Sequence, residues 1–163
     1  MSDAIPRVPV RTLTPAPYLR VSSAARAIQF YTTVFSAVEI VRLVEPSGRV
    51  AHAELRMGAA GDASLMLSDE YPEFGLVGPQ DGRTPVALQL YVNDVAAICA
   101  LATAAGGTVR AAPALDPFGD RTAKLLDPCG HEWIVATRVE EITVDEMRRR
   151  FTRLMNFVDN EFR

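Results

Sequence analysis

Shifted by 71 residues, the chain lies on itself: Leu19 lands on Leu90, Val21 on Val92, Ser23 on Asp94 and Val38 on Val109. Matches that share one offset and run without a gap through a strand and a helix are the mark of an internal duplication. This repeat constrains the fold more than any other feature. Whatever unit the first copy builds, the second builds again. With 163 residues, the two small modules account for most of the chain.

The second copy is the clearer one. Leu88, Leu90 and Val92 alternate with Ala87, Gln89 and Tyr91, as a strand requires. Asn93 or Asp94 then caps a helix with apolar positions Val95, Ile98, Cys99, Ala102 and Ala105. Gly106 and Gly107 stop it. Three short strands follow, Val109–Ala111, Thr122–Leu126 and Glu132–Thr137, the last entered through the tight turn D-P-C-G at Asp127–Gly130.

The first copy repeats that order. Tyr18–Val21 is a strand, Ser22 and Ser23 are caps, and Ala24, Ala27, Ile28, Tyr31 and Phe35 recur at helical spacing. Val38–Val44 is strand-like, Pro46-Ser47-Gly48 a turn, and Val50–Met57 alternates with His52, Glu54 and Arg56 on one face. Gly58–Gly61 makes a further turn before the apolar strand Ser64–Ser68.

The expected fold is therefore α+β: two tandem βαβββ units forming a cup-shaped mixed sheet, plus a C-terminal amphipathic helix. A loose arm over 1–13 precedes the first unit at 14–70. A Pro- and Gly-rich linker at 71–84, long enough to act as a lid or a crossover, leads to the second unit at 85–138. The last helix spans 143–162. Thr143-Val144-Asp145-Glu146 reads as a capping box, and Met147, Phe151, Leu154, Met155, Val158 and Phe162 form an apolar stripe. That stripe packs either on its own sheet or on a second subunit.

The net charge of −3 and the lack of a basic stripe argue against a nucleic-acid partner; the run Arg148–Arg150 sits among acids on a helix face. No apolar run is long enough to span a membrane, and the N-terminus does not read as a secretory signal. Cys99 and Cys129 are too few for a disulfide framework and are not spaced as a metal pair. Free thiols in a cytoplasmic protein are the expectation. No nucleophile–base pair and no phosphate loop emerge, so catalytic residues are not assigned.

The two βαβββ units with D-P-x-G before the last strand resemble the vicinal oxygen chelate superfamily. That group includes glyoxalase I, extradiol dioxygenases and bleomycin-resistance proteins. Six stretches, His52–Gly58, Leu65–Glu70, Thr84–Asp94, Phe118–Arg121, Asp127–Thr137 and Val139–Arg150, are similar to recurring phrases of its PhnB-like branch. The resemblance covers about residues 14–152 and speaks to fold and branch, not to substrate.

The resemblance also implies where a metal centre would lie. Its ligands come from the positions held here by Ala16 and Ala87, by Ile134, and by a residue near Leu65 in the first unit. The branch often has His where this chain has Gln89 and Arg138. Hydrocarbon side chains offer no imidazole, oxygen or thiolate donor, so no metal and no cofactor are expected at those positions. His52 and Glu54 share a strand face and are the only hint of an off-pattern site; His131, after the turn, is expected to satisfy turn backbone groups.

Without a metal, the cup becomes a pocket for a small, largely apolar molecule. Tyr18, Arg20, Gln89 and Tyr91 are expected to face it, joined by Leu65, Leu67, Ile134 and Ala136. Trp133 belongs to the opposite, helix-packed side. Phe118 sits on the hairpin over the second unit, where Asp120 and Arg121 either clamp a polar ligand group or pair with each other. The function expected is small-molecule binding by a homodimer, since relatives often complete their cups across a dimer interface. The alternative is a metal-dependent lyase, isomerase or dioxygenase with an off-pattern site.

Overall fold

The computed structural model describes residues 15–58 and 63–161, with side chains to Phe157. The loose arm expected over 1–13, the tip of the Gly58–Gly61 turn, and the side chains of Val158 and Phe162 lie outside the described residues. The elements run β1 (Tyr18–Val21), α1 (Ala24–Phe35), β2 (Val38–Val44), β3 (Val50–Met57), β4 (Ala63–Asp69), β5 (Ala87–Tyr91), α2 (Val95–Ala104), β6 (Thr108–Leu115), β7 (Asp120–Leu126), β8 (Glu132–Arg138) and α3 (Val144–Glu161). Two βαβββ units are present, each with its own four-stranded sheet, ordered β1-β4-β3-β2 and β5-β8-β7-β6. In each, the first strand pairs parallel with the last, and the other pairs are antiparallel.

Local chemistry explains the helix starts. The hydroxyl of Ser23 accepts from the amide of Arg26, and one carboxylate oxygen of Asp94 accepts from the amides of Ala96 and Ala97. In α3 only half of the capping box forms. Thr143 Oγ1 accepts from the Glu146 amide, but the Glu146 carboxylate turns to Arg149, Arg150 and Arg153 instead of reaching back.

Strand β6 is longer than Val109–Ala111, reaching Leu115 through Pro113. A proline removes a ladder donor, which is why this stretch reads poorly as a strand. β6 is an edge strand with bulges on both sides of Ala111, where a missing amide costs little.

Leu19, Val21, Leu55, Leu67, Leu125 and Val135 point to the helix side and are buried. The two units share this core within one chain. The Trp133 ring on β8 lies 4.7 Å from Phe35 and 5.3 Å from Tyr31, both on α1. Asp127, 4% exposed, sits beneath them. It accepts from the hydroxyl of Tyr31, the Trp133 indole at 3.2 Å, and the amides of Cys129 and His131 at 2.9 and 3.0 Å. The D-P-C-G turn is thus a clasp between units as well as a hairpin. Cys99 and Cys129 are free and buried, and burial pushes both thiols above their ordinary pKa.

The helix α3 packs on neither sheet. Its stripe stays in solvent, with Met147 41% and Phe151 50% exposed. What ties it to the body is Arg150, which donates to Glu140 at 2.6 and 2.8 Å and to the Pro117 carbonyl, beside a tilted Phe118–Phe151 ring pair.

Candidate functional site

The face opposite the helices is set by register. Tyr18 pairs with Met66, Glu54 also pairs with Met66, and Arg20 pairs with Ser68. In the second sheet Gln89 pairs with Ile134, Tyr91 with Ala136 and Asp120 with Arg138. Paired residues share a face, so Tyr18, Arg20, Gln89, Tyr91, Ile134 and Ala136 lie on the cup side as expected. Leu65 and Leu67 do not. Leu67 pairs with Leu19 on the helix side, and Leu65, two residues before it and 2% exposed, is core. The strand S-L-M-L-S is apolar at three successive positions, so alternation alone could not choose its face.

The same register corrects the metal positions by one residue. Met66 faces Tyr18 as Ile134 faces Gln89, so Met66, not Leu65, is the first unit's counterpart of Ile134. Ala16, Met66, Ala87 and Ile134 bring three hydrocarbon side chains and one thioether. Among the described residues no three His, Cys, Asp or Glu gather where they could hold an ion. These residues do not fit a divalent-metal centre.

Two polar clusters occupy the cup face instead. On the first sheet the Tyr18 hydroxyl lies 3.0 Å from His52 Nδ1, and His52 Nε2 lies 3.3 Å from Glu54 Oε1. A carboxylate can only accept, so Nε2 carries the hydrogen toward Glu54; in the neutral tautomer this leaves Nδ1 to accept from Tyr18. Tyr18 and Glu54 meet opposite edges of the imidazole and do not converge on one cation. On the second sheet, Tyr91 donates to Asp120 Oδ2 at 2.6 Å, and Arg138 donates to Asp120 Oδ1 at 2.5 Å and to the Tyr91 hydroxyl at 3.1 Å. Burial works against ionisation of Asp120, but Tyr91 and Arg138 outweigh it and hold the carboxyl below its ordinary pKa.

Asp120 and Arg121 therefore do not pair with each other. Consecutive residues of β7 point to opposite faces, and Arg121 pairs in register with Thr137. Phe118 sits in the turn before β7, its ring beside Phe151 of α3. His131 reaches further than its own turn. Its Nε2 donates to the Arg20 carbonyl at 2.9 Å, from the second unit to the first.

One concavity lies between the edge strands of the two sheets. A cleft of about 530 Å³ opens between β1, with Pro17, Tyr18 and Arg20, and the start of β5, with Val86 and Leu88. The linker forms its third wall. Gly78 runs so close to β1 that a side chain there would strike the Arg20 carbonyl oxygen. Asp81 and Gly82 both have positive φ, closing a two-residue hairpin in which the Arg83 amide bonds the Gln80 carbonyl at 3.0 Å. That turn brings Arg83 to the cleft. Of the expected site residues, only Tyr18 and Arg20 line it; Gln89, Tyr91 and Ile134 lie further along the cup face. Arg83 was not foreseen, although the Asp-Gly pair that places it is a sequence-level hairpin signal.

A family model described as the glyoxalase/bleomycin resistance protein/dioxygenase superfamily matches residues 11–135. The chain belongs to that superfamily. Among relatives of this glyoxalase-superfamily protein, the uncharacterized protein Rv0887c of Mycobacterium tuberculosis is 37% identical over 137 residues, covering 82% of this chain and 79% of the relative. Solved structures share the fold at lower identity. The fosfomycin resistance protein FosX of Listeria monocytogenes has a TM-score of 0.62 at 14% identity, covering 83% of this chain and 97% of its own. A glyoxalase-related enzyme of Fulvimarina pelagi has a TM-score of 0.60 at 22% identity, covering 82% and 94%.

Proposed function

We propose that this protein is a metal-independent member of its superfamily that binds a small organic molecule in the cleft between β1 and β5. The observation that carries this reading is the cleft itself. Pro17, Val77, Pro79, Val86 and Leu88 make apolar walls, and Tyr18 and Arg20 add a few placed polar groups, the usual make-up of a ligand pocket. The ligand is largely apolar in this reading, and the linker from Val77 to Val86 closes over it. Placement in the PhnB-like branch rests on the phrases His52–Gly58, Thr84–Asp94 and Val139–Arg150. Two buried free cysteines support a reducing, cytoplasmic setting. The apolar stripe of α3 supports a homodimer.

The test is an NMR-monitored ligand screen on isotope-labelled protein. Hits are expected to move resonances of Tyr18, Arg20, Val77 and Leu88 together. A broad library that moves none of them sinks the proposal.

The Tyr18–His52–Glu54 chain favours a second reading, an enzyme. Tyr18 also lines the cleft, so its phenol could exchange a proton with a bound molecule while His52 takes up or returns one. Turnover of any hit that is lost in Tyr18→Phe, with binding retained, would favour this over simple binding. Metal analysis of protein purified without chelator tests the remaining branch of that reading; a stoichiometric transition metal would contradict the ligand-position argument.

A further inference from the structure

Two guanidinium groups line the cleft, and among the described residues no carboxylate does. Seven described arginines elsewhere sit on acids, among them Arg42 on Glu39, Arg49 on Glu73, Arg138 on Asp120 and Arg150 on Glu140, whereas Arg26, Arg56, Arg110 and Arg121 do not. Among the described residues Arg20 and Arg83 have no such ion pair. The carboxylates of the strand that pairs with β1 and of the residue after it turn to backbone amides. Glu70 accepts from the Gly78 amide at 2.7 Å, and Asp69 accepts from the amides of Ala24 and Val50.

The side chain of Arg20 is held in place, and for Arg83 the backbone that carries it is. Arg20 donates to the hydroxyl of Ser68, a residue with 0% exposure, and its guanidinium stacks 4.5 Å from the centre of the Tyr18 ring. Ser68 in turn donates to the Asp69 carbonyl at 2.8 Å, so its oxygen is committed as the acceptor for Arg20. Arg83 is carried on the Gln80–Arg83 hairpin, whose two positive-φ residues leave the turn little choice of shape. Positioning of this kind removes part of the ordering cost that a flexible arginine incurs when it binds.

Resting on the cleft as a binding site, we propose that its ligand is an organic anion, a carboxylate held by Arg20 and Arg83 with an apolar body against Pro79, Val86 and Leu88. Paired guanidinium N–H groups match the two oxygens of a carboxylate, and among the described residues no carboxylate lines the cleft to compete for them. The overall charge of −3 does not oppose this, because charges beyond about a Debye length, roughly 8 Å in physiological salt, are largely screened.

Three probes of one shape test the assignment: benzoate, benzamide and benzylamine, titrated by NMR into the full chain. Benzoate is expected to bind at the cleft at least about tenfold tighter than benzamide, with benzylammonium weakest. Arg83→Gln should erase most of the benzoate preference, read as the ratio of benzoate to benzamide affinity at the cleft. Arg83 is exposed on a loop, so the variant is expected to fold. If benzamide matches benzoate at the cleft, or Arg83→Gln leaves benzoate binding intact, the anion assignment fails while the binding site survives. If no probe moves Tyr18, Arg20 or Leu88, the site and the assignment fail together. Inorganic phosphate competing as well as benzoate would overturn the apolar part of the recognition.

Discussion

The hydroxyl of Tyr31 donates to Oδ2 of Asp127, joining the first unit's helix to the second unit's D-P-C-G turn. Both groups are buried, and the same carboxylate serves Trp133 and two backbone amides. Tyr31→Phe removes one donor and should cost about 1–2 kcal/mol. Asp127→Ala leaves four buried donors without their acceptor and should cost on the order of 3–5 kcal/mol. Denaturant unfolding of both variants checks the order. Burial, then the Asp127 charge, push the Tyr31 phenol well above its ordinary pKa. Its stabilising contribution is thus fully present below the unfolded value of about 10 and is lost as pH rises beyond it. Tyr31→Phe should make the alkaline fall in stability shallower.

Arg138→Gln should release Asp120. The carboxyl is held below its ordinary pKa against its burial by Tyr91 and Arg138. A depressed folded pKa contributes stability above the unfolded value of about 3.9, lost as pH falls through the folded one. Carboxyl NMR should show Asp120 titrating at higher pH in the variant, and the loss of stability below about pH 4 should become shallower. An unmoved midpoint would falsify the contact as the cause.

Gly78→Ala should loosen the linker from β1. The added methyl meets a backbone oxygen, that of Arg20, which cannot rotate away as a side chain could. A destabilisation of about 1–3 kcal/mol is expected, with cleft-binding probes losing affinity. Wild-type stability and wild-type binding together would mean that the linker wall moves freely.

Truncation after Ile142 removes α3 without exposing either sheet's core, since the helix packs on neither. Light scattering should show a dimer for the full chain and a monomer for the truncated one, with benzoate binding retained. Phe151→Asp should act in the same direction, because it places a charge on the exposed stripe.

Much of the fold was legible in the residues. Strand alternation at Val50–Met57 and helical spacing at Ala24–Phe35 depend on neighbours along the chain, and both elements appear at those bounds. The repeat offset predicts two βαβββ units, and two are present. The site was legible only in part. Tyr18 and Arg20 reach the cleft because strand parity decides their face, but Leu65 went to the core and Arg121 to the far side of Asp120.

By itself the sequence determined the order of elements, the duplication and the hydrocarbon side chains of Ala16, Ala87 and Ile134 at three of the metal positions, because each is a matter of residue type and spacing along the chain. Only the tertiary structure decided which face of β4 is buried, that Asp120 answers to Arg138 and Tyr91, and that Arg83 from the linker stands in a cleft with Arg20 from β1. Those relations join residues from 18 to 63 positions apart. They follow from strand register and from how two sheet edges meet, and neither is written in local periodicity.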